Sequence, residues 1–387
     1  MSGAAQRLSQ ISGILNPGTT SENTILIVPE KPFKISVIGS GNWGTTIAKV
    51  IAESTGENPE LFQKDVHMWV FQEKIDGRNL TDIINTEHEN VEYLPEVKLP
   101  ENVIAEPDIT KTVEGSDLIV FNIPHQFLGN VCRQLKGHVP TTARAVSCLK
   151  GLDVTPQGCK LLSSYITENL GIYCGALSGA NLAPEVARQK WSETTVAYNE
   201  PADFRGQGKD IDKAILKKVF HRPYFHVRVV GDVPGVSLAG ALKNVVAMAA
   251  GFVEGLGWGD NAKSAIMRIG LVEIIKFAQK YFPESDPKTF TEESAGVADL
   301  ITTCSGGRNV RVGKYMAETG KDAAEAEKVL LNGQSSQGIV TTKEVHDLLA
   351  NDNATQDFPL FEATYQIIYN GLPMGKLPSL LESAGDN

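Results

Sequence analysis

Three scarcities narrow the possibilities before any motif is read. The cysteines Cys132, Cys148, Cys159, Cys174 and Cys304 are odd in number and form no CxxC pair, which argues against a disulfide framework or a structural zinc and for a reducing compartment. Basic charge is in deficit: 36 lysines and arginines against 46 acidic residues give a net charge of −10, so nucleic acid is not an expected partner, although a local basic pocket for an anion stays open. Long apolar runs are also missing. The first thirty residues have no charged start followed by an apolar block, so no secretory signal is expected. The most apolar stretch, Val236–Val253, carries Lys243 and Asn244 at its middle and reads as a buried helix, not a membrane span.

What is present suffices for a large core: 42% of the 387 residues are hydrophobic and 21% charged, enough for two domains. Residues 1–30, rich in Ser, Thr, Gly and Asn, read as a mobile arm. From Lys31 to Gly231, β-rich runs (Ile35–Ile38, Val66–Phe71, Leu118–Ile123, Ala143–Leu149, Gly175–Ala180, Thr194–Tyr198, Tyr224–Val230) alternate with helical ones. That alternation predicts a mostly parallel sheet covered by helices, an α/β domain over 31–231. Beyond Gly231 strand-like runs cease and long helical ones take over, predicting an all-α domain over 232–387.

The sharpest local motif is Gly39-Ser40-Gly41-Asn42-Trp43-Gly44, which stands directly between a strand and a helix. In a GxGxxG turn the first glycine permits the tight bend, the second lets backbone approach a pyrophosphate, and the third lets strand and helix pack closely. The helix start then offers free N–H groups to the phosphates. Strand, motif and helix in that order predict dinucleotide binding. Glu73, near the end of the second strand, is a candidate for a ribose hydroxyl or else a solvated carboxylate; no arginine at that strand end suits a 2′-phosphate, which favours NAD over NADP.

Lys243 in an apolar helix is costly unless paired or functional; it reads either as a proton-transfer group with a lowered pKa or as a structural ion pair. Asp299, in the apolar run Gly296–Ile301, is a candidate partner for it. Gly306-Gly307 before Arg308-Asn309 looks like a helix-start turn, where backbone donors and a guanidinium could hold a phosphate. Lys150 and Asn181 follow predicted strands and so stand where open α/β sheets bind ligands. His125, after Pro124, is read as a packing or helix-start residue, and no histidine spacing suggests a metal.

Taken together, Gly39–Thr46, Pro124-His125-Gln126-Phe127, Leu149-Lys150-Gly151, Ser178-Gly179-Ala180-Asn181, Ala241–Val246 and Asp299–Cys304 with Gly306–Asn309 resemble the NAD-dependent glycerol-3-phosphate dehydrogenases of the eukaryotic cytosolic, fungal-like type. The resemblance spans Lys31 to about Pro373. It implies an α/β Rossmann-like domain followed by an all-α C-terminal substrate domain, a homodimer, and reversible reduction of dihydroxyacetone phosphate by NADH to sn-glycerol 3-phosphate. It further implies Lys243 as general acid/base, Lys150 and Asn181 as groups that position and polarise substrate, and Asp299 and Thr303 as orienting residues. Arg308 and Asn309 match the phosphate anchor. For the cofactor it implies the Gly39–Gly44 loop, Phe71 and Phe121 flanking the adenosine, and contacts from Lys150, Ala183, Arg308 and Gln337. Ser335 stands where some members carry lysine. In the arm, Arg7-Leu8 and Ile14-Leu15 resemble a peroxisomal targeting element, but Ile14 replaces the usual His or Gln, so a cytoplasmic location is expected. The competing readings are a two-domain dehydrogenase of hydroxy acids or nucleotide sugars, and a non-catalytic NADH sensor; the sensor would be expected to lose Lys243 or Asp299, and both are kept.

Overall fold

A computed structural model describes residues 26–155, 158–331 and 336–382. Strands β1 (Ile35–Ile38), β2 (Val66–Trp69), β3 (Val103–Glu106), β4 (Leu118–Phe121), β5 (Arg144–Ser147), β6 (Cys174–Ser178), β7 (Ser192–Ala197) and β8 (Phe225–Val230) form one sheet in the order β8-β7-β6-β5-β4-β1-β2-β3. The first six run parallel in the order 3-2-1-4-5-6, the arrangement of dinucleotide-binding sheets. β7 then pairs antiparallel to β6 and parallel to β8. Strand order reverses between β1 and β4, which opens a crevice beyond their carboxyl ends.

The central strands β1, β4 and β5 are buried at every residue, which is why they read as unbroken runs without alternation. β5 buries Arg144, whose guanidinium is met by Asp210 at 2.9 and 2.6 Å. β3 escaped the sequence reading, as did the hairpin Leu152–Thr155/Gly158–Leu161. Four-residue strands with one half-buried face carry too little periodic signal. Residues before Lys31 take part in the fold: Leu26 packs against the sheet's core and Ile27 lies against Gly208. Residues 1–25, with the targeting-like residues, and Ser335 lie outside the described residues.

After β8 the chain turns helical at once. The Asp232 carboxylate accepts the Gly235 N–H at 2.8 Å and starts the helix Val233–Gly255. This helix is apolar and long enough to cross a membrane, but it is buried within the chain's own core. Helices Gly259–Tyr281, Arg308–Thr319, Gln337–Asn351 and Pro359–Asn370 pack around it, and its amino-terminal half abuts β6. Its contact with Arg308–Thr319 is backbone to backbone. A Cβ at Gly251 would stand 2.4 Å from the Val310 carbonyl oxygen, and one at Gly313 2.5 Å from that of Met248. That close crossing sets the start of Arg308–Thr319 near the Lys243 helix.

Candidate active site

The glycine turn has the shape its three glycines require. Gly39 sits at φ +108° with the Asn122 carbonyl oxygen 2.6 Å from where a Cβ would be, and a Cβ at Gly44 would lie 2.1 Å from the Gly39 oxygen. Gly41 differs: a Cβ there would meet nothing within 4 Å, so its backbone faces open space. The helix Asn42–Glu57 begins here with no side-chain cap, leaving first-turn N–H groups free for an anion. Beside it, neither amide atom of Asn122 has a hydrogen-bond partner among the described residues. An open backbone cradle, uncapped donors and an orphaned amide fit the pyrophosphate of a dinucleotide. Ser40 and Trp43 also brace the loop from outside: the Ser40 carbonyl accepts from Asn90 at 2.8 Å, and the Trp43 ring packs edge-on to Phe225. The Ala183 carbonyl takes the Thr46 hydroxyl at 3.3 Å, which puts it against the same helix.

In register, Ile38, Phe121, Ser147 and Ala176 stand in one row across β1, β4, β5 and β6. Three spacings of about 4.8 Å therefore separate the glycine turn from the end of β6, roughly 14 Å. There the second cluster is built. Lys243, 2% exposed, is ion-paired with Asp299, 3% exposed. Lys150 reaches the same carboxylate oxygen at 3.9 Å, the Ser178 hydroxyl donates to it at 3.3 Å, and the Thr303 hydroxyl donates to the other oxygen at 3.3 Å. Asp299 is delivered by a break in the helical path: Ser294–Ala298 is a π-type turn with non-helical Gly296, immediately before helix Asp299–Cys304. Burial drives the Lys243 ammonium down to about 7; Asp299 opposes that fall, while the neighbouring Lys150 charge adds to it. Lys150 itself is 38% exposed, so the cluster opens to solvent on its side. Asn181, after β6, gives its amide N–H groups to Ser192 and Glu193, leaving its buried side-chain oxygen without a partner.

Several expected residues stand differently from the expectation. Phe121 is 0% exposed, packed in the core under the turn, and cannot flank an adenosine. The aromatics exposed beyond strand ends are Phe71, after β2, at 70% and Phe127, after β4, at 53%; Phe127 was missed. Its position beyond a strand's carboxyl end, in Pro124-His125-Gln126-Phe127, was the available signal. One Glu73 oxygen accepts the Tyr93 hydroxyl at 2.6 Å, and the side chain is half-buried. The Asn309 side chain is not free for a phosphate. It donates to Asn244 at 2.8 Å and accepts from Ser336 and from the Gly338 N–H, tying three helices together. What remains is its backbone N–H in the first turn of Arg308–Thr319, beside the exposed Arg308. Gln337 and His125 meet across the two halves of the molecule at 3.0 Å.

Residues 34–203 match the NAD-dependent glycerol-3-phosphate dehydrogenase N-terminus family, and residues 232–379 match its C-terminus family. The chain belongs to the NAD-dependent glycerol-3-phosphate dehydrogenases. It is 67% identical to glycerol-3-phosphate dehydrogenase [NAD(+)] of Pichia angusta, over 99% of this chain and 100% of that one. It is 62% identical to glycerol-3-phosphate dehydrogenase [NAD(+)] 1 of Saccharomyces cerevisiae, over 99% of this chain and 98% of that one. The solved glycerol-3-phosphate dehydrogenase of Saccharomyces cerevisiae superposes with a TM-score of 0.87 at 64% identity, covering 91% of this chain and 100% of that one. The dehydrogenase is thus an oxidoreductase using NAD on a small phosphorylated substrate, with a Rossmann-like sheet followed by a mostly helical domain.

Proposed function

We propose that Lys243 is the proton donor and acceptor in the reversible conversion of dihydroxyacetone phosphate to sn-glycerol 3-phosphate, with residues 31–231 serving the nucleotide and 232–387 the substrate. NADH, when bound, supplies the hydride. The Lys243 ammonium meets the carbonyl oxygen and gives up its proton as negative charge builds there; in reverse, the neutral amine takes the hydroxyl proton. The observation that carries this reading is the buried Lys243–Asp299 pair, with Lys150, Ser178 and Thr303 converging on the same carboxylate. Burial lowers the Lys243 pKa toward neutrality, so the side chain can serve in both directions. Asp299 holds the ammonium in place and limits its loss of charge. Lys150 brings a second cation to the same oxygen, and the free side-chain oxygen of Asn181 accepts a substrate hydroxyl. Thr303 orients Asp299 from its other side. Arg308, with the N–H groups opening Arg308–Thr319, binds the phosphate as a charged fork above a helix start. The Gly39–Gly44 turn and Asn122 hold the pyrophosphate, Phe71 and Phe127 offer apolar faces, and Ala183, Lys150, Arg308 and Gln337 line the remaining edge.

We further propose a homodimer, supported by the exposed Trp258, Val272 and Ile301 on the helical side, and a cytoplasmic site of action, supported by five free cysteines. The net charge of −10 and the burial of Val233–Gly255 support the absence of nucleic-acid and membrane partners. The test is NADH absorbance with dihydroxyacetone phosphate or with unphosphorylated dihydroxyacetone. Rapid oxidation is expected with the first alone. Lys243→Ala is expected to lose turnover while binding NADH normally; a variant that still turns over would remove Lys243 from the chemistry.

A further inference from the structure

His125 opens the short turn after β4 and reaches across to the helical half of the molecule. Its Nδ1 lies 3.0 Å from Oε1 of Gln337, and its Nε2 lies 3.2 Å from Oε1 of Glu344, both on helix Gln337–Asn351. Both facing atoms are acceptors. A neutral imidazole, with one N–H, keeps both contacts only if the Gln337 amide turns over to present its NH2 to Nδ1, whereas an imidazolium satisfies both acceptors as they stand. The contacts are enclosed, with side-chain exposure of 13% at His125 and 19% at Glu344. The second carboxylate oxygen of Glu344 is buried without a partner among the described residues. Behind the ring, a Cβ on Gly151 would stand 3.3 Å from Nδ1, so the turn following Lys150 backs the imidazole.

We propose that His125 is a positioning residue which, as an imidazolium, clasps the nucleotide-binding half to helix Gln337–Asn351 and holds Gln337 at the cofactor crevice. The proposal rests on the reading of Gln337 as a cofactor contact. Gln337 and Glu344 lie two turns apart on one helix, so a single ring with two N–H groups pins both the start of that helix and its orientation. The ring is not sealed off. A cavity of about 220 Å³, lined by Leu128, Leu152, Leu162, Asp153, Tyr165 and Glu344, adjoins it and gives its proton a route to water. The other ionisable groups around the clasp are Asp153 and Cys159 on the hairpin, Tyr165 on helix Leu162–Leu170, Arg133 on helix Leu128–Leu135, Tyr369 on helix Pro359–Asn370, and Lys150 before Gly151. Glu344 is the carboxylate in direct contact, and its hydrogen bond raises the His125 pKa above the ordinary histidine value.

The test is NADH affinity by fluorescence titration from about pH 6 to 9, across the range in which a histidine loses its charge. It compares wild type, His125→Gln, Glu344→Gln, Gln337→Ala and the double variant His125→Gln/Gln337→Ala. Wild-type affinity is expected to fall about tenfold as the imidazolium deprotonates, the loss of one charge-assisted contact. Glu344→Gln keeps the shape and moves that step to lower pH. His125→Gln and Gln337→Ala are each weak with no step, and the double variant is no weaker than either. A His125→Gln protein with wild-type affinity and an intact step overturns the clasp. So does a Glu344→Gln step that stays in place, or a double variant as weak as the product of the two losses. Failure of the clasp leaves wild-type turnover of dihydroxyacetone phosphate untouched, whereas failure of the functional reading abolishes that turnover and leaves the pH step in NADH affinity.

Discussion

Asp299→Asn removes one negative charge from the point where two ammonium groups converge, while keeping the side chain's shape. Ser178 and Thr303, each 3.3 Å away, still find a polar partner. Lys243 does not find a replacement: at 2% exposure, water compensates the lost charge poorly. Breaking a buried pair costs about 3–5 kcal/mol if the remaining group stays charged. Lys243 can avoid that cost by releasing its proton. At about 1.36 kcal/mol per unit, about 3 kcal/mol of lost attraction moves its midpoint roughly two units lower, starting from about 7. Lys150, 3.9 Å from the carboxylate and 38% exposed, is screened by solvent. The assay is kcat for dihydroxyacetone phosphate reduction against pH. In the wild type the rate falls as pH rises through about 7, because the ammonium is the donor. The variant repeats that fall roughly two units lower, so its rate near pH 7 drops roughly 50-fold and recovers on acidification. Oxidation of glycerol 3-phosphate, which uses the neutral amine, suffers much less at the same pH. A variant that is uniformly slow with an unmoved midpoint and a native circular dichroism spectrum would refute the coupling of Asp299 to Lys243.

Arg308→Ala is expected to raise KM for the phosphorylated substrate roughly 10- to 100-fold, a larger loss than it causes in NADH affinity; an equal effect on unphosphorylated dihydroxyacetone would contradict a phosphate role. Gly41→Ala, whose new Cβ meets open space, should leave stability within about 0.5 kcal/mol and weaken NADH at least about tenfold, because the space it fills is the cradle. Gly44→Ala, with its Cβ 2.1 Å from the Gly39 oxygen, should instead destabilise the fold, by at least about 2 kcal/mol in urea denaturation. Glu273, 4% exposed, accepts the Leu360 and Phe361 N–H groups at 2.7 and 3.0 Å, and burial pushes its carboxyl up to about 7. Between its ordinary 4.5 and about 7 the unfolded chain has lost this proton while the folded chain keeps it. Stability therefore falls as pH rises through that window, by roughly 3 kcal/mol in all. Glu273→Ala should lack this slope, and parallel curves for the two proteins would rule it out.

The features legible along the chain were those set by a few neighbouring residues. The glycine spacing at 39, 41 and 44 encodes a turn because steric exclusion acts over one or two residues. The switch from β-rich runs to long helical ones near Gly231 was readable because hydrophobic periodicity repeats within a single element; β8 ends at Val230 and the long helix begins at Val233. A lysine inside an apolar helix signalled a partner because burying a lone charge is expensive, and Asp299 does meet it. What only the tertiary structure decided is which atoms of distant elements face one another. Phe121 and Phe127 look alike in sequence, since a strand buried on both faces loses its alternation, yet one is core and the other exposed. Glu73 meets Tyr93 with one oxygen, Asn309 meets Asn244, Ser336 and Gly338, and His125 meets two residues more than two hundred positions away. Hydrogen bonds reach about 3 Å and depend on the packing of whole domains, so no local pattern in the chain records them.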